Sequence, residues 1–373
     1  MSNALDFAFL CGKPTTPSGR QVAIIGAGPS GLAATGYLAC QGCQVHVYDK
    51  LPRPGGLMVF GIPGRRIPEA RIAAGTDDLV ARHHVHFHMR TKVCGTKPLH
   101  EDTGDHFTED MKSLGELTDE NDAVIICTGT WKSRRLGIPG EDLPGVYTGL
   151  QYLFPIRAAQ YAVSEVSPVD VAGKRVAVIG AGHSAVDVAH SAHAHGAAEV
   201  VMLYRRTIKE APSGTHEINL LLEAGVRWWE LVTPKRIVGE GKVQGIEIVR
   251  CGLGEPDESG RRRPVPGGTV CEPMTLPVDV VVSAIGEIPT APFAHELGLE
   301  NLRRGEAHWL QMTRMAGVFV AGDALTGPSK IGKAVYSGLR AARSLVTWLD
   351  LQAQGRPEDY DYDGDTIKPG ELV

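Results

Sequence analysis

Short runs of apolar, mostly β-branched residues recur along the chain, and each is followed by glycines or charged residues. Residues 22–25 form the first run, which predicts a buried parallel strand. An alanine-rich pattern then predicts a helix over 32–39, and a second strand over 44–48 leads into Asp49. Strand, glycine loop, helix, strand and acid in this order are typical of a nucleotide-binding βαβ unit.

The loop between the first strand and its helix reads Gly-Ala-Gly-Pro-Ser-Gly over 26–31. In this spacing Gly26 permits a tight turn, Gly28 lets a pyrophosphate approach the backbone, and Gly31 lets helix and strand pack closely. The helix N-terminus then presents N–H groups to the phosphates. Asp49 lies 21 residues after Gly28 (49 − 28), where an acid can bond a ribose diol. A plain glycine-rich turn is the alternative.

The same pattern repeats in the second half of the chain. Residues 174–179 predict a strand, a second glycine loop begins at Gly180, and a further strand is predicted over 199–204. This strand ends in Arg205 and Arg206 instead of an acid. Arginines in place of the acid take away the hydrogen-bond acceptor for a ribose diol. They supply paired N–H donors for a 2′-phosphate, which favours NADPH. Two surface arginines that merely end a strand are the alternative.

Three later apolar runs also end in turns that contain glycine. The runs over 123–127, 278–285 and 317–320 are followed by Thr128-Gly129, Gly286 and Ala321-Gly322-Asp323. Because ligands of open parallel sheets bind at the carboxyl ends of strands, these turns are candidate contacts. Asp323 can hold a sugar-alcohol hydroxyl of a flavin, and the helix that follows can stabilise a reduced isoalloxazine.

Periodicity predicts the elements that connect these strands. Helices are predicted over 69–82, 149–163, 212–224 and 330–349. Short strands and turns are predicted over 95–121 and 232–281. Within the second range, 255–268 is predicted as an exposed hairpin loop, and the run Arg261 to Arg263 is interpreted as a solvated charge run.

Residues 85–93 alternate apolar and polar positions, which predicts one half-exposed strand. The alternation places His84, His86 and His88 on one face. We interpret them as polar residues on a wet strand face, with a metal site as the alternative.

Composition narrows the class of protein. At 373 residues the chain has room for about two domains, and a net charge of −5 gives no reason to expect nucleic acid. No apolar run reaches the length of a membrane span. The first residues lack the basic flank of a signal peptide, so we expect a cytoplasmic location.

The seven cysteines form an odd and dispersed set, which argues against a disulfide framework. Only Cys40 and Cys43 have C-x-x-C spacing. We interpret them as two small packing residues, with a redox pair as the alternative.

Seven motifs occur together and in order along the chain: GAGPSGLAA, PGGLMVFGIPGRRIP, AVIICTGT, LGIPGEDLPGV, GAGHSAVDVA, YRRT and VFVAGDALTGPS. From about residue 21 to about residue 349 the chain thereby resembles flavoproteins of the glutamate synthase small-subunit type. The resemblance implies an α/β fold of two Rossmann-like, three-layer dinucleotide-binding domains, with the NAD(P)H domain inserted in a discontinuous FAD domain. The implied parts are an N-terminal arm (1–20), an FAD domain (21–153 and 283–349), an NAD(P)H domain (154–282) and a C-terminal tail (350–373).

The same resemblance implies an FAD-dependent NAD(P)H oxidoreductase that passes electrons to an acceptor on a partner. That partner is expected to be an iron–sulfur or other redox subunit, or a ferredoxin. The implied FAD contacts are Gly26, Gly28, Pro29, Ser30, Gly31, Asp49, Lys50, Gly55, Gly56, Leu57, Val93, Thr128, Gly129, Gly322, Asp323, Lys333 and Ala334. The implied NAD(P)H contacts are Gly180, Gly182, His183, Ser184, Ala185, Arg205, Arg206 and Gly286. No residue is assigned an acid–base role, because the cofactors carry the chemistry.

The chain departs from the family pattern in three places. Relatives usually carry a cysteine-rich iron–sulfur domain before the first glycine loop, whereas residues 1–20 contain only Cys11, so we expect no electron route there. His183 replaces a common Asn, and 211–213 replaces Met-Pro-Ala. Separately, two interpretations stay open for Arg65 and Arg66, which are contact with a phosphate and contact with water.

Three alternative functions stay open at this point. The first is a free-standing ferredoxin–NADP reductase of the adrenodoxin-reductase type. The second is a thioredoxin-reductase-like enzyme, which is disfavoured because residues 154–282 contain only Cys251 and Cys271, without C-x-x-C spacing. The third is an assembly subunit that binds FAD and does not react with a pyridine nucleotide.

Overall fold

The computed structural model describes residues 11, 13, 15–94, 102–161, 166–256, 262–266, 273–288, 313 and 315–356. The chain forms two compact units. The first contains residues 1–60, 64–132 and 287–373, and the second contains 61–63 and 133–286. In the described part of the chain, no helix combines the length and the apolar composition needed to cross a membrane.

The described helices and strands alternate along most of the chain. The helices are α1 (Pro29–Cys40), α2 (Leu57–Phe60), α3 (Glu69–Arg82), α4 (Leu114–Glu120), α5 (Gly149–Ala159), α6 (His183–Ala194), α7 (Thr215–Glu223), α8 (Asp323–Thr326) and α9 (Ile331–Ala353). The strands of the first half are β1 (Gln21–Ile25), β2 (Gln44–Tyr48), β3 (Val85–His88), β4 (Thr91–Cys94), β5 (Asp110–Ser113), β6 (Ala123–Ile126), β7 (Lys132–Ser133) and β8 (Val146–Thr148). Those of the second half are β9 (Arg175–Ile179), β10 (Glu199–Tyr204), β11 (Arg227–Glu230), β12 (Val232–Val238), β13 (Gly245–Pro256), β14 (Arg262–Pro266), β15 (Met274–Pro277), β16 (Val280–Ser283), β17 (Glu287–Ile288) and β18 (Val318–Val320).

The first unit is built on a parallel sheet with the strand order β18-β6-β1-β2-β3. Its strands β1, β6 and β18 are apolar because both faces are covered, by α1 and α9 on one side and by α4 on the other. Ile25 stands opposite both Tyr48 and Ile126, and Val320 also stands opposite Ile126. The carboxyl ends of these four strands therefore meet at one edge of the sheet.

The second unit repeats this plan with the strand order β11-β10-β9-β16-β8, again all parallel. Helices α5, α6 and α7 cover one face, and an antiparallel sheet of β12, β13, β14 and β15 belongs to the same unit. Ile179 stands opposite Leu203 and Ser283, so these strand ends also share one edge. The predicted α/β fold with parallel sheets is confirmed.

The second unit begins earlier in the chain than the predicted boundary at 154. The reason is β8, which lies before that boundary and pairs with β16 through Val146 and Val281. Helix α5 follows directly and packs into the same core. A three-residue strand leaves too short a pattern for periodicity to reveal it.

Two local elements also differ from the predictions. The strand predicted over 85–93 is broken at Arg90, whose φ of 57° turns the chain, so β4 pairs with β5 and not with the main sheet. Helix α4 occupies a segment predicted as turns or short strands. It begins at a capping box, in which Ser113 and Glu116 each bond the other's backbone N–H.

The histidine face is formed by two strands instead of one. His84 precedes β3 with a φ of 50°, outside the alternation. His86 and His88 stack on His46 of β2, with ring centroids 5.0 and 5.4 Å from that of His46. His46 Nδ1 and His88 Nε2 are 3.1 Å apart and share a hydrogen bond. Among the residues described, no group of three or more His, Cys, Asp or Glu side chains is placed to hold a metal ion.

The arm before β1 returns to the end of α1 and is joined to it. Cys11 and Cys40 form a disulfide, so the interpretation of Cys40 as a packing residue is wrong. The Thr15 hydroxyl donates to the carbonyl oxygen of Ala39 at 3.1 Å, which holds the arm beside the helix. Cys43 is a free thiol buried in the core. Cys271 and residues 357–373 of the predicted tail lie outside the described part of the chain.

Candidate functional site

The first glycine loop leaves an open space at the start of α1. Gly28 caps this helix with extended backbone (φ −76°, ψ −174°) and without a side-chain hydrogen bond. Among the described residues, a β-carbon added at Gly28 would meet no heavy atom within 4 Å, whereas one at Gly26 or Gly31 would overlap a backbone carbonyl. Gly26 and Gly31 therefore permit close packing. Gly28 leaves room for a phosphate beside the N–H groups of the helix N-terminus.

A segment later in the chain, residues 55–57, contacts this loop. Gly55 donates its N–H to the carbonyl oxygen of Ala27 at 2.8 Å, and a β-carbon on Gly56 would lie 2.9 Å from Cα of Gly28. Leu57, which begins α2, is half-buried. The predicted loop 55–57 is thus placed over the first glycine loop.

Asp49 contacts the glycine loop directly. Its carboxylate is buried and accepts hydrogen bonds from the N–H groups of Ala27 at 2.7 Å and Leu51 at 2.8 Å. Burial raises the pKa of Asp49, although these two bonds and the charge of Lys50 oppose the rise. Each carboxylate oxygen keeps a second acceptor position. The ribose contact stays a prediction, and the observed role of Asp49 is to hold the loop.

A cleft opens beside Asp49 at the carboxyl ends of β1 and β2. Its lining residues are Ile25, Gly26, Tyr48, Asp49, Lys50, Thr91, Lys92, Val93, Asp102, Thr128 and Trp131. The Oγ1 atom of Thr128 is buried and has no hydrogen-bond partner within the described structure. A buried hydroxyl without a partner is costly, so a polar ligand in this cleft would satisfy it. The next residue, Gly129, has a φ of 72°, and a β-carbon there would meet no described atom within 4 Å.

Two lysines and one aspartate form a buried ion cluster at the wall of this cleft. Asp105 accepts from Lys50 Nζ at 2.9 Å and from Lys92 Nζ at 2.5 Å, and all three side chains are at most 10% exposed. Lys50 also lies 4.3 Å from the centroid of the Trp131 ring. Burial by itself would raise the pKa of Asp105, but the charge of Lys50 and the bonds from both lysines lower this pKa overall. Sequence reasoning named only Lys50, because Asp105 lies in a polar segment without a motif.

The predicted flavin end also gathers at the edge of the first sheet. Gly322 follows β18, and a β-carbon there would lie 2.7 Å from Cβ of Ser30. Asp323 accepts from the Ser329 hydroxyl at 2.5 Å, while burial raises its pKa. Lys333 and Ala334 lie in the first turn of α9, where Ala334 is buried and Lys333 is exposed. Their contacts with a cofactor stay predictions.

The second glycine loop has the same geometry within the second unit. Gly182 caps α6 with φ −80° and ψ 175°, and a β-carbon there would meet nothing within 4 Å in the described part of the chain. One at Gly180 would overlap the carbonyl oxygen of Ala284. His183 and Ser184 are exposed in the first turn of α6, and Ala185 is fully buried. The loop therefore leaves a second open space at a helix N-terminus.

Two buried hydroxyls without partners lie close to this loop in the fold. Ser213 donates its N–H to the carbonyl oxygen of Ala181 at 3.2 Å, while its Oγ atom has no partner among the described atoms. The Oγ atom of Ser283, at the end of β16, is also buried and unpaired there. Gly286 follows with a φ of 105°, and its carbonyl oxygen accepts from the N–H of Arg134 at 2.8 Å. Sequence reasoning noted Ser213 only as a departure from the family, and missed Ser283 and Arg134.

The arginine pair follows β10 at the same edge. Arg205 is exposed and Arg206 is half-buried. Arg206 donates its Nε–H to the backbone carbonyl of Arg262 at 2.8 Å. The side chain of Arg262 is exposed, as expected for a solvated charge run, and β14 places the backbone of this residue beside the arginine pair. Arg261 lies outside the described residues.

Comparison with known proteins gives one family and several relatives. Residues 20–338 match the model of the pyridine nucleotide-disulphide oxidoreductase family. The chain is 34% identical to the NADPH glutamate synthase small chain of Halomonas elongata, covering 93% of this chain and 72% of that protein. It is 38% identical to the NADP(+)-dependent formate dehydrogenase subunit beta of Moorella thermoacetica, covering 91% and 45% respectively. Mycobacterium tuberculosis FprA in complex with NADPH shares the fold, with a TM-score of 0.72 at 22% identity over 91% of this chain and 86% of that one.

Proposed function

Because the chain belongs to the pyridine nucleotide-disulphide oxidoreductase family and is an NAD(P)H-dependent flavoprotein oxidoreductase, we propose that it is an electron-input subunit. In this role it takes electrons from NADPH through FAD and passes them to an acceptor held by a partner subunit or electron carrier. Both sequence relatives are named as a chain or subunit of an enzyme. The chain spans 72% of the first relative and 45% of the second. Membership of a complete multi-subunit enzyme is therefore part of this proposal.

The observation that carries the proposal is the pair of open spaces at Gly28 and Gly182. Each lies at the N-terminus of a twelve-residue helix that follows a parallel strand. Within the described residues, the first unit also has the unpaired hydroxyl of Thr128, and the second that of Ser213. Both units thus fit a dinucleotide, with FAD assigned to the first and NADPH to the second.

The residues of the chain bind and orient the cofactors, and no side chain is assigned a proton transfer. When bound, FAD supplies a two-electron acceptor that amino-acid side chains do not provide. Gly28 and the start of α1 would hold its pyrophosphate, and Thr128 would contact its adenosine part. Gly182 and the start of α6 would hold the pyrophosphate of NADPH, with Arg205 and Arg206 at the 2′-phosphate.

An anaerobic titration of the flavin-loaded protein tests the proposal. We expect near-stoichiometric NADPH to bleach the flavin absorbance and NADH to be much less effective. Bleaching by NADH alone would retain the reductase and reject the arginine assignment. Failure with both nucleotides would contradict the proposal and favour an assembly subunit that binds FAD without reacting.

The identity of the acceptor needs a second measurement. We expect the tagged protein to co-purify from its own cells with a redox subunit, and its reduced flavin to be reoxidised by that complex. Rapid reoxidation by ferredoxin without any stable partner would favour the free-standing reductase instead. The cytoplasmic location stays a prediction, which cell fractionation would test.

A further inference from the structure

The hairpin of β13 and β14 is attached to the backbone of the arginine pair. Cys251 of β13 donates its S–H to the carbonyl oxygen of Arg205 at 3.4 Å. It also donates its N–H to Leu231 at 2.8 Å, and Leu231 donates in turn to the carbonyl oxygen of Arg206 at 3.3 Å. The hairpin therefore has a defined position relative to the end of β10.

This position brings the backbone of a third arginine to the arginine pair at the end of β10. The backbone of Arg262 accepts the Nε–H of Arg206, and its side chain folds back on β13. Arg262 donates from Nε to Gly254 at 3.1 Å and from Nη2 to Leu253 at 3.4 Å. These carbonyls lie where the β13–β14 register shifts, a bulge that redirects backbone groups. The two bonds use two of the five N–H donors of the side chain.

The electrostatics agree with this placement. The pKa of Glu210 is lowered first by the N–H and hydroxyl of Thr207, and further by the charges of Arg262 and Arg206. Oε2 of Glu210 accepts both Thr207 donors at 2.9 Å, so this carboxylate serves as a cap. Arg206 and Arg262 thus act on the same carboxylate, and such a concentration of arginine charge favours a doubly charged phosphate.

We propose that Arg262 is a specificity-determining residue of the NADPH site, where it acts with Arg205 and Arg206 on the 2′-phosphate. This inference rests on the proposed function, since it requires NADPH in the second unit. The β13–β14 hairpin then forms one wall of the phosphate site. Because Arg262 is held by two backbone carbonyls, less side-chain freedom is lost when phosphate binds.

The matched control is the next residue on the same strand. Arg263 carries the same charge, but successive side chains of a strand point to opposite faces. Removing its charge changes the net charge of the hairpin as much as removing that of Arg262. A difference between Arg262→Gln and Arg263→Gln therefore reports position and not charge alone.

The experiment is calorimetric binding of 2′,5′-ADP and of 5′-AMP to the flavin-loaded protein, which needs no turnover. Arg262→Gln is expected to weaken 2′,5′-ADP about tenfold and to leave 5′-AMP within about twofold, since a charge-assisted bond to phosphate is lost. Arg263→Gln is expected to leave both ligands within about twofold of the wild-type protein. In an Arg206→Gln, Arg262→Gln double variant, the loss of 2′,5′-ADP binding free energy should differ from the sum of the two single losses. The reason is that both guanidinium groups contact one phosphate, so their contributions are not additive.

Three outcomes would overturn the inference. One is an equal loss of 2′,5′-ADP in Arg262→Gln and Arg263→Gln, and another is unchanged binding in Arg262→Gln. The third is an equal loss of 5′-AMP and 2′,5′-ADP, which would indicate a damaged hairpin. If the wild-type protein prefers 2′,5′-ADP and NADPH bleaches its flavin, but Arg262→Gln binds both ligands as the wild type does, only the role of Arg262 is refuted. A wild-type protein without that preference refutes the NADPH assignment as well.

Discussion

The backbone of Gly338 in α9 lies directly against the carbonyl oxygen of Ser30 in α1, so that a β-carbon at residue 338 would overlap this oxygen. Gly322 also approaches Ser30 closely, on its side-chain face. The start of α1, which borders the open space at Gly28, is therefore held between two segments from the far end of the chain. The position of the first glycine loop depends on these contacts.

Gly338→Ala is expected to destabilise the protein by about 2 kcal/mol, because overpacking a tight helix crossing costs about 1–3 kcal/mol. FAD content after purification should fall with it, since the loop shifts together with α1. Thermal unfolding and the ratio of flavin to protein absorbance measure the two effects. Gly115→Ala in α4 is the control, since a β-carbon there meets only an ordinary contact at 3.8 Å. Equal stability of the two variants would contradict the tight crossing.

Gly28→Ala and Gly182→Ala are expected to leave the fold intact and to weaken different cofactors. A β-carbon at either position meets no atom of the described residues within 4 Å, but it enters the space assigned to a pyrophosphate. We expect FAD affinity to fall about tenfold in Gly28→Ala, with NADPH affinity falling similarly in Gly182→Ala. Fluorescence titration of released FAD and stopped-flow reduction measure the two affinities. Loss of the same cofactor in both variants would reject the assignment.

Arg205→Ala and Arg206→Ala are each expected to raise the KM for NADPH about tenfold or more. The KM for NADH is expected to stay within about threefold of the wild-type value. The reason is the loss of a charge-assisted bond that only the 2′-phosphate receives. Steady-state reduction of ferricyanide with both nucleotides provides the measurement. An equal loss for NADPH and NADH would remove the phosphate assignment. Arg206→Ala also releases the bond to Arg262, so Arg205→Ala gives the cleaner comparison.

Asp105→Asn is expected to cost about 3 kcal/mol of folding stability, because it removes the carboxylate charge that the buried side chains of Lys50 and Lys92 both contact. The cleft beside Val93 should lose its shape, so FAD is expected to dissociate faster. Chemical unfolding and the rate of flavin release are the measurements. Asp119→Asn removes an exposed charge from α4 and should change neither quantity. A stable Asp105→Asn variant that holds FAD normally would show that the ion cluster is dispensable.

The ion pair of Asp279 and Arg175 predicts part of the acid unfolding of the second unit. Asp279 accepts from the Arg175 side chain at 2.8 and 3.0 Å and from its N–H, which lowers the pKa of Asp279 to about 2. A lowered pKa means that this stability is present above the unfolded value of about 4 and is lost as the pH falls towards 2.

Asp279→Asn should therefore reduce stability at neutral pH and flatten its loss between about pH 4 and pH 2. Both side chains are partly exposed, so we expect an effect of about 1 kcal/mol or less. Chemical unfolding across this pH range measures it. A variant with the same acid profile as the wild-type protein would show that Asp279 does not carry the effect.

Local patterns predicted the strands and glycine loops well, and they missed elements that depend on distant partners. β2 and α3 have the bounds that their periodicity indicated, because each buries one regular face. The break at Arg90 and the short strand β8 were missed. Their conformation follows from pairing with β5 and β16, and these partners lie far away in the sequence.

The sequence by itself determined the two βαβ units, their glycine loops and the residue type after each second strand, since all of these lie within some 30 consecutive residues. Only the tertiary structure decided which distant side chains complete each site. It brought Asp105 to Lys50, Arg262 to Arg206 and Gly338 to Ser30. Proximity of this kind depends on strand order, register and helix crossing. None of these leaves a periodic pattern in the segments that meet.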